Sequence, residues 1–421
     1  MLALVALFAL FPALLAHSQN FTFIEGLVSS LSSLGYSAFS QDLLLINSTQ
    51  VGQSILANLS SGANFTIFIP SNQALSNFNV TNITEASDIT TVANLIAYHI
   101  MPGDFLQPND TSPTGGNATT NATLISAIFP NVTVGRTLLD NDTFVQLEGD
   151  KSQVLAWTLF PSNTSNVTSQ TILNQPPTQP NVTVFNTTTF ENLLLAFVTG
   201  VIVPPANLTT VLGANNATIW PTVLNLTTFT NSSGANTTVL DQLGVQRGFT
   251  AFIPSDEALS AINLGSLQGN LTNLAIIVQN HIINDTTAYS PLLYNASLNW
   301  TSAAGEPFTF VSNSTGNFVT VGMPGAGGNE TATAQIVQSD VLVSNGVVHI
   351  IDAPLNVTAS DASAASSAFS SASSAATLTT SATGPIGSVF TSFSFVTSST
   401  STSTTSSSSS SPSVTARRRW A

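Results

Sequence analysis

Residues 64–75 read NFTIFIPSNQAL, and residues 248–259 read GFTAFIPSDEAL. Each copy is a short run of β-forming residues closed by a proline, then a serine in position to cap a helix. A pattern that returns at this separation means two tandem domains of one kind. In the second copy Asp256 and Glu257 follow Ser255, acids that favour the positive end of a helix. Ala74 and Ala258 stand where a full capping box would carry Glu or Gln.

The surroundings repeat as well. VANLIAYHI at 92–100 has its counterpart in LAIIVQNHI at 274–282, both helical in pattern and both ending in His-Ile. Upstream, Ile24, Leu27, Val28, Leu31 and Leu34 recur at helical spacing until Gly35 breaks the run. Residues 335–355, QIVQSDVLVSNGVVHIIDAPL, predict a hairpin turning at Asn345-Gly346, with positive φ at both positions. Val347, His349 and Ile351 then share one face of the returning strand. The first domain carries a worn version at 191–212, ENLLLAFVTGVIVPPANLTTVL. There Asn192 aligns with Asn345, Leu193 replaces Gly346, Ala196 replaces His349 and Thr199 replaces Asp352. The first copy is also longer, and its surplus is assigned to surface loops at 106–123 and 160–180. The Gly-rich stretch at 322–330 lacks the Lys-Ser/Thr of a phosphate loop and reads as a turn between strands.

Composition sets the environment. Apolar residues make up 43% of the 421, enough for real cores, while charged residues are only 6%. Another source of surface hydration is present: 27 Asn-x-Ser/Thr sequons. Their asparagines are Asn20, Asn47, Asn58, Asn64, Asn79, Asn82, Asn109, Asn117, Asn121, Asn131, Asn141, Asn163, Asn166 and Asn181 in the first part of the chain. They continue as Asn186, Asn207, Asn216, Asn225, Asn231, Asn236, Asn270, Asn284, Asn295, Asn299, Asn313, Asn329 and Asn356. Twenty acids against six bases give a net charge of −14, and three of those bases are Arg417, Arg418 and Arg419. No basic patch is left for nucleic acid. There are no cysteines, so disulfides, thiolate metal sites and cysteine nucleophiles are excluded.

The N-terminus, MLALVALFALFPALLAHS, resembles a signal peptide at 1–18, with Ala16-His17-Ser18 as a small-x-small cleavage site. No transmembrane span is expected in the mature chain. From 358 to 421 the chain turns to Ser, Thr and Ala, the composition of a disordered, O-glycosylated stalk. A chain ending in TARRRWA does not support a glycosylphosphatidylinositol signal.

Catalytic motifs are absent. No Gly-x-Ser-x-Gly elbow occurs, and Glu148, Asp150 and Glu306 belong to no motif and read as solvated. His99, His281 and His349 lack spaced metal-ligating partners and read as buried imidazoles that bond the backbone. His349 and Asp352, three apart on a strand, face opposite sides and make no direct pair.

The paired segments resemble the fasciclin-like domain family over residues 20–357. Its first box is similar to 65–75, with Thr66, Phe68 and Pro70, and to 249–259, with Thr250, Phe252 and Pro254. Its central Tyr-His element resembles Tyr98-His99, and the second copy has Asn280-His281. Its second box resembles 345–355, with Asn345, Gly346, His349 and Asp352. The resemblance implies an α+β fold, each domain a β-sandwich-like wedge with packed helices. Domain 1 is expected at 19–205 and domain 2 at 206–357. It also implies extracellular adhesion or matrix association, with these motif residues structural. Without Tyr at 280 the second domain lacks part of the element implied to meet a partner. Without the His and Asp of the second box the first domain lacks an internal polar tie. The function expected is a secreted, non-catalytic adhesion or cell-wall glycoprotein, with no cofactor or metal. Its partners would be cell-wall polysaccharide, matrix or a cell-surface protein. Two alternatives stay open: a carbohydrate-active enzyme with an unrecognised carboxylate pair, and a carrier for an apolar ligand.

Overall fold

The computed structural model describes residues 22–78, 86–103, 105, 132–161, 168–176, 181–230, 236–260, 269–323, 331–377 and 384–387. The expected signal peptide and the chain beyond 387 lie outside the described residues.

Domain 1 opens with helices at 22–33, Ser37–Ile46 and Gln50–Leu59. Leu27 and Leu31 are buried, but Leu34, the last of the periodic residues, is 49% exposed. The helix has already ended there, because Gly35 takes φ +93°, a conformation closed to most side chains. β1 (Phe65–Pro70) leads into helix Asn72–Asn77, whose first turn is capped by Ser71 Oγ accepting from Ala74 N at 3.1 Å. Helix Ala86–Tyr98 follows, then β2 (Ile100–Pro102), β3 (Val132–Arg136), β4 (Val154–Pro161), β5 (Thr168–Ile172), β6 (Thr183–Phe190) and β7 (Leu193–Val198).

Domain 2 repeats the plan. Helices Leu208–Ala214 and Trp220–Leu226 precede a small ribbon of β8 (Thr228–Thr230) and β9 (Asn236–Thr238), then helix Val239–Val245. β10 (Phe249–Pro254) and helix Asp256–Ser260 are the second copy of the opening motif, and Ser255 Oγ accepts from Ala258 N at 3.2 Å. Asp256 does more than favour its own helix. Its carboxylate accepts from Thr218 Oγ1 at 2.6 Å and Ile219 N at 2.8 Å, at the start of helix Trp220–Leu226. Helix Leu271–Gln279, β11 (Ile282–Asn284), a short helix Ser290–Leu293 and β12 (Trp300–Thr301) come next. β13 (Pro307–Asn313), β14 (Gly316–Val321), β15 (Ala332–Val343) and β16 (Gly346–Ile351) complete the domain.

Each domain has one seven-stranded sheet, ordered β2-β1-β7-β6-β5-β4-β3 and β11-β10-β16-β15-β14-β13-β12. The quoted motif is the parallel centre: β1 pairs with β7 and β10 with β16. All four strands are buried along their whole length, which explains why apolar residues dominate them. The sheet curls over itself. Phe252 on β10 meets Phe308 and Phe310 on β13 at 5.1 and 5.6 Å, and Phe68 on β1 meets Trp157 on β4 at 5.9 Å. These aromatics fill the inside of the wedge, while helices cover the other face of the centre.

Three expectations are amended. The hairpin between β15 and β16 turns at Ser344-Asn345, and none of Ser344, Asn345 or Gly346 has positive φ. Gly346 is needed for space instead: a Cβ there would lie 2.7 Å from Phe249 O and 2.8 Å from its ring. Asn345 is held by its side chain, which donates to Leu243 O at 2.6 Å and Gln246 O at 2.9 Å. In domain 1 the equivalent turn places Glu191 at φ +48°. Second, the segment 160–180 is not a plain loop, since it contains the end of β4 and all of β5. The other assigned insert, 106–123, lies outside the described residues, as do 324–330 between β14 and β15. Third, where the sequence reads an unstructured stalk from 358, Ala362–Ala376 form a helix. Alanine-rich composition favours it, and Asp361 Oδ1 caps it by accepting from Ser363 N and Ala364 N at 2.9 and 3.0 Å.

Candidate functional site

The two repeated histidines do one job in the same way. His99 follows its helix and donates from Nδ1 to Leu95 O at 2.8 Å, while its Nε2 accepts from Ile202 N at 3.0 Å. His281 bonds Ile277 O at 2.7 Å and accepts from Leu355 N at 2.9 Å. Accepting at Nε2 fixes both rings as the neutral Nδ1–H tautomer. Each imidazole therefore ties a helix end to the segment that follows the last strand of its sheet. Burial pushes both down to about 4, against the upward pull of the Leu95 and Ile277 carbonyls.

His349 has the opposite tautomer. Its Nδ1 accepts from Asp340 N at 3.3 Å and its Nε2 donates to Ala288 O at 3.0 Å. Burial lowers its pKa, opposed by the nearby Asp340 charge and the Ala288 bond. Asp352 is not its partner; Asp352 accepts from Gln335 N at 2.7 Å and donates its own N–H to Gln335 O. Thr199 makes the same reciprocal bracket in domain 1, accepting from Thr183 N at 2.9 Å and donating to Thr183 O at 3.0 Å. The polar tie expected to be missing there is kept by a hydroxyl in place of a carboxylate. Tyr98 is 1% exposed and donates to Val154 O at 3.0 Å, so it is part of the core and not a contact surface. Asn280 takes its place with an amide that donates to Val357 O and Ala359 O, both at 3.0 Å. Thr66 and Thr250 are buried; Thr250 Oγ1 donates to Thr286 O at 2.8 Å and accepts from Ala288 N at 2.8 Å. Phe68, Pro70, Phe252 and Pro254 are core residues of the central strands.

Sequence reasoning missed Asp340. It is fully buried at φ +55°, accepting from Ser290 N at 2.6 Å and from Ser290 Oγ. Its signal was a lone carboxylate inside a run of strand formers, where β15 bulges between Gln338 and Val341. Ser290 points its hydroxyl at Asp340 and not at His349, so no nucleophile–base pair is assembled. Among the described residues no three His, Cys, Asp or Glu converge as metal ligands.

A fasciclin domain model matches residues 38–155 and 224–357, more than half of the chain. The chain belongs to the fasciclin domain family. No curated protein matches it. Among solved structures it is similar to a FAS1 domain pair from the insect cell adhesion molecule Fasciclin I. That likeness has 16% identity, covers 75% of this chain and 96% of that one, and has a TM-score of 0.29. The match to the first fasciclin domain stops inside β4, yet its sheet continues to Val198 with β7 beside β1. Fasciclin domains are typically adhesion-related and generally non-catalytic, and proteins that carry them are often extracellular or at the cell surface. No helix among the described residues is long and apolar enough to cross a membrane.

The two fasciclin domains meet over an apolar patch. Val132, Val134, Val154 and Ala156 turn one face of β3 and β4 towards Tyr289, Leu342 and Val347, while Leu155 and Trp157 turn into their own core. The tip of the β15–β16 hairpin docks here. Gln153 Nε2 donates to Val343 O at 3.1 Å, Gln146 N to Ser344 O at 2.9 Å and Asn174 Nδ2 to Asp340 O at 2.7 Å. Glu148, expected to be solvated, is buried at this junction. It accepts from Thr287 Oγ1 at 2.8 and 3.0 Å and pairs with Lys151 at 2.9 Å. Arg247 of domain 2 bridges Asp142 and Asp150 of domain 1.

Proposed function

We propose that this is a secreted, N-glycosylated adhesion or cell-wall-associated protein. Its fasciclin domain pair would bind polysaccharide, matrix or a surface protein without catalysis. The observation that carries this reading is where the sequon asparagines lie. Of those described, all are exposed except Asn141 and Asn284, which are half-buried. The buried asparagines, Asn94, Asn280 and Asn345, are none of them in a sequon. A surface with so few charges is supported by carbohydrate at these positions. The tail beyond the helix would space the pair from the surface that carries it.

The test is site-resolved mass spectrometry of the secreted protein, with cell-wall and matrix pull-down of the full chain. Glycan on the exposed sequons and retention on wall or matrix are expected. A bare intracellular protein overturns the reading. So does polysaccharide turnover that a single Asp or Glu substitution abolishes.

A further inference from the structure

A cleft of about 450 Å³ opens between helix Val239–Val245, the start of β11 and the helix Ala362–Ala376. Its volume lies within the about 300–1,000 Å³ typical of small-ligand sites. Three features of its lining go unused by the fold. The side-chain amides of Gln242 and Gln279, both half-buried, have no hydrogen-bond partner among the described residues. Phe369 lines the same cleft from the overlying helix while 49% exposed. Half-buried amides beside an aromatic face match a sugar ring, which offers hydroxyl and acetamido groups at its edge and C–H groups on its face.

The cleft has a sugar acceptor in its wall. Asn284 lines it and begins the sequon Asn284-Asp285-Thr286. Among the described residues the Asn284 side chain makes one hydrogen bond, through Oδ1, which accepts from Gln246 Nε2 at 3.4 Å. Nδ2, the atom that carries an N-glycan, is uncommitted among the described residues. The next residue, Asp285, accepts from Ser373 Oγ at 2.8 Å, so the sequon also holds the overlying helix.

We propose that the N-glycan of Asn284 folds back into this cleft, against Phe369, Gln242 and Gln279, and clamps helix Ala362–Ala376 onto domain 2. The proposal rests on the glycoprotein reading above. Attachment forms a C–N bond from the anomeric carbon of an N-acetylhexosamine to Asn284 Nδ2. The amide gives up one proton, and the polyprenyl pyrophosphate carrier of the oligosaccharide leaves. The reducing-end sugars then fill the cleft while the outer branches reach solvent.

The experiment uses the full chain secreted from an N-glycosylating host. Native protein is digested with a peptide N-glycosidase, and release is followed site by site. Release at Asn284 is expected to be slower than at exposed Asn313 and Asn356 by about tenfold, because the clamp must open first. Phe369→Ala, and separately Gln242→Ala with Gln279→Ala, should bring Asn284 to the rate of the exposed sites. Thr286→Ala, which removes the sequon but keeps Asn284, should speed amide exchange across residues 362–376. Glycan at Asn313 and Asn356 with none at Asn284 overturns this proposal and leaves the glycoprotein reading standing. So does equal release at all three sites. Absence of glycan at every sequon overturns both.

Discussion

His99 and His281 make the fold sensitive to acid. Each is neutral and buried in the native state, where burial holds it at about 4 instead of 6.5. The unfolded chain therefore takes up the proton first. Their contribution is fully present above about pH 6.5 and is lost as pH falls towards about 4, at roughly 3 kcal/mol per histidine. Asp42 works in the opposite direction. Burial raises it to about 6, so ionising it costs stability as pH rises through that range. Urea midpoints measured from about pH 7 down to 4 should fall, and His281→Gln should flatten the slope while lowering the neutral-pH value. An unchanged slope in that variant would contradict the reading of His281 as an imidazole held neutral by burial. All three histidines bond the backbone, at Leu95 O, Ile277 O and Ala288 O. The sequence reading missed Asp340 and misread Glu148, because a carboxylate's burial depends on partners that are distant in sequence: Ser290 for one, Thr287 for the other.

Among the elements, those legible in the sequence were the ones whose instructions are local. A β-run, a proline and a capping serine specify β1, β10 and the helices after them with no help from elsewhere. The last strand of domain 1 was harder, since Leu193 and Ala196 erase the motif while burial and register preserve the strand. The hairpin of domain 2 shows the limit of dipeptide rules. Asn345-Gly346 did mark a turn, but the glycine is there for clearance from Phe249 and not for its dihedral freedom. Gly346→Ala should therefore destabilise domain 2 by about 1–3 kcal/mol through overpacking. Chemical denaturation of the variant measures it, and a loss below about 0.5 kcal/mol would mean that the strands part without strain.

For the whole molecule, the decisive feature is the junction between the domains. Its polar groups are unequal in weight. The Arg247 pairs lie at the surface, with Asp142 and Asp150 78% and 83% exposed, and such pairs contribute about 0–1 kcal/mol. Thr287 is the buried donor to Glu148, and losing it leaves a carboxylate short of a partner at about 1–3 kcal/mol. Thr287→Val should loosen the pair, seen as a broader interdomain distance distribution in solution scattering, whereas Arg247→Ala should barely alter it. Equal effects would refute this ranking. None of this was visible in the sequence, because outward-facing valines on β3 and β4 look like any buried strand until their second face is found covered.

Before the terminal arginines the chain has just three basic residues, Arg136, Lys151 and Arg247, and all sit at this seam. An enzyme that cuts after lysine or arginine thus finds no foothold elsewhere in residues 1–416. Trypsin therefore reports on the seam: cutting after Arg136 and Lys151 should quicken when the halves come apart, over and above any cutting at the more exposed Arg247.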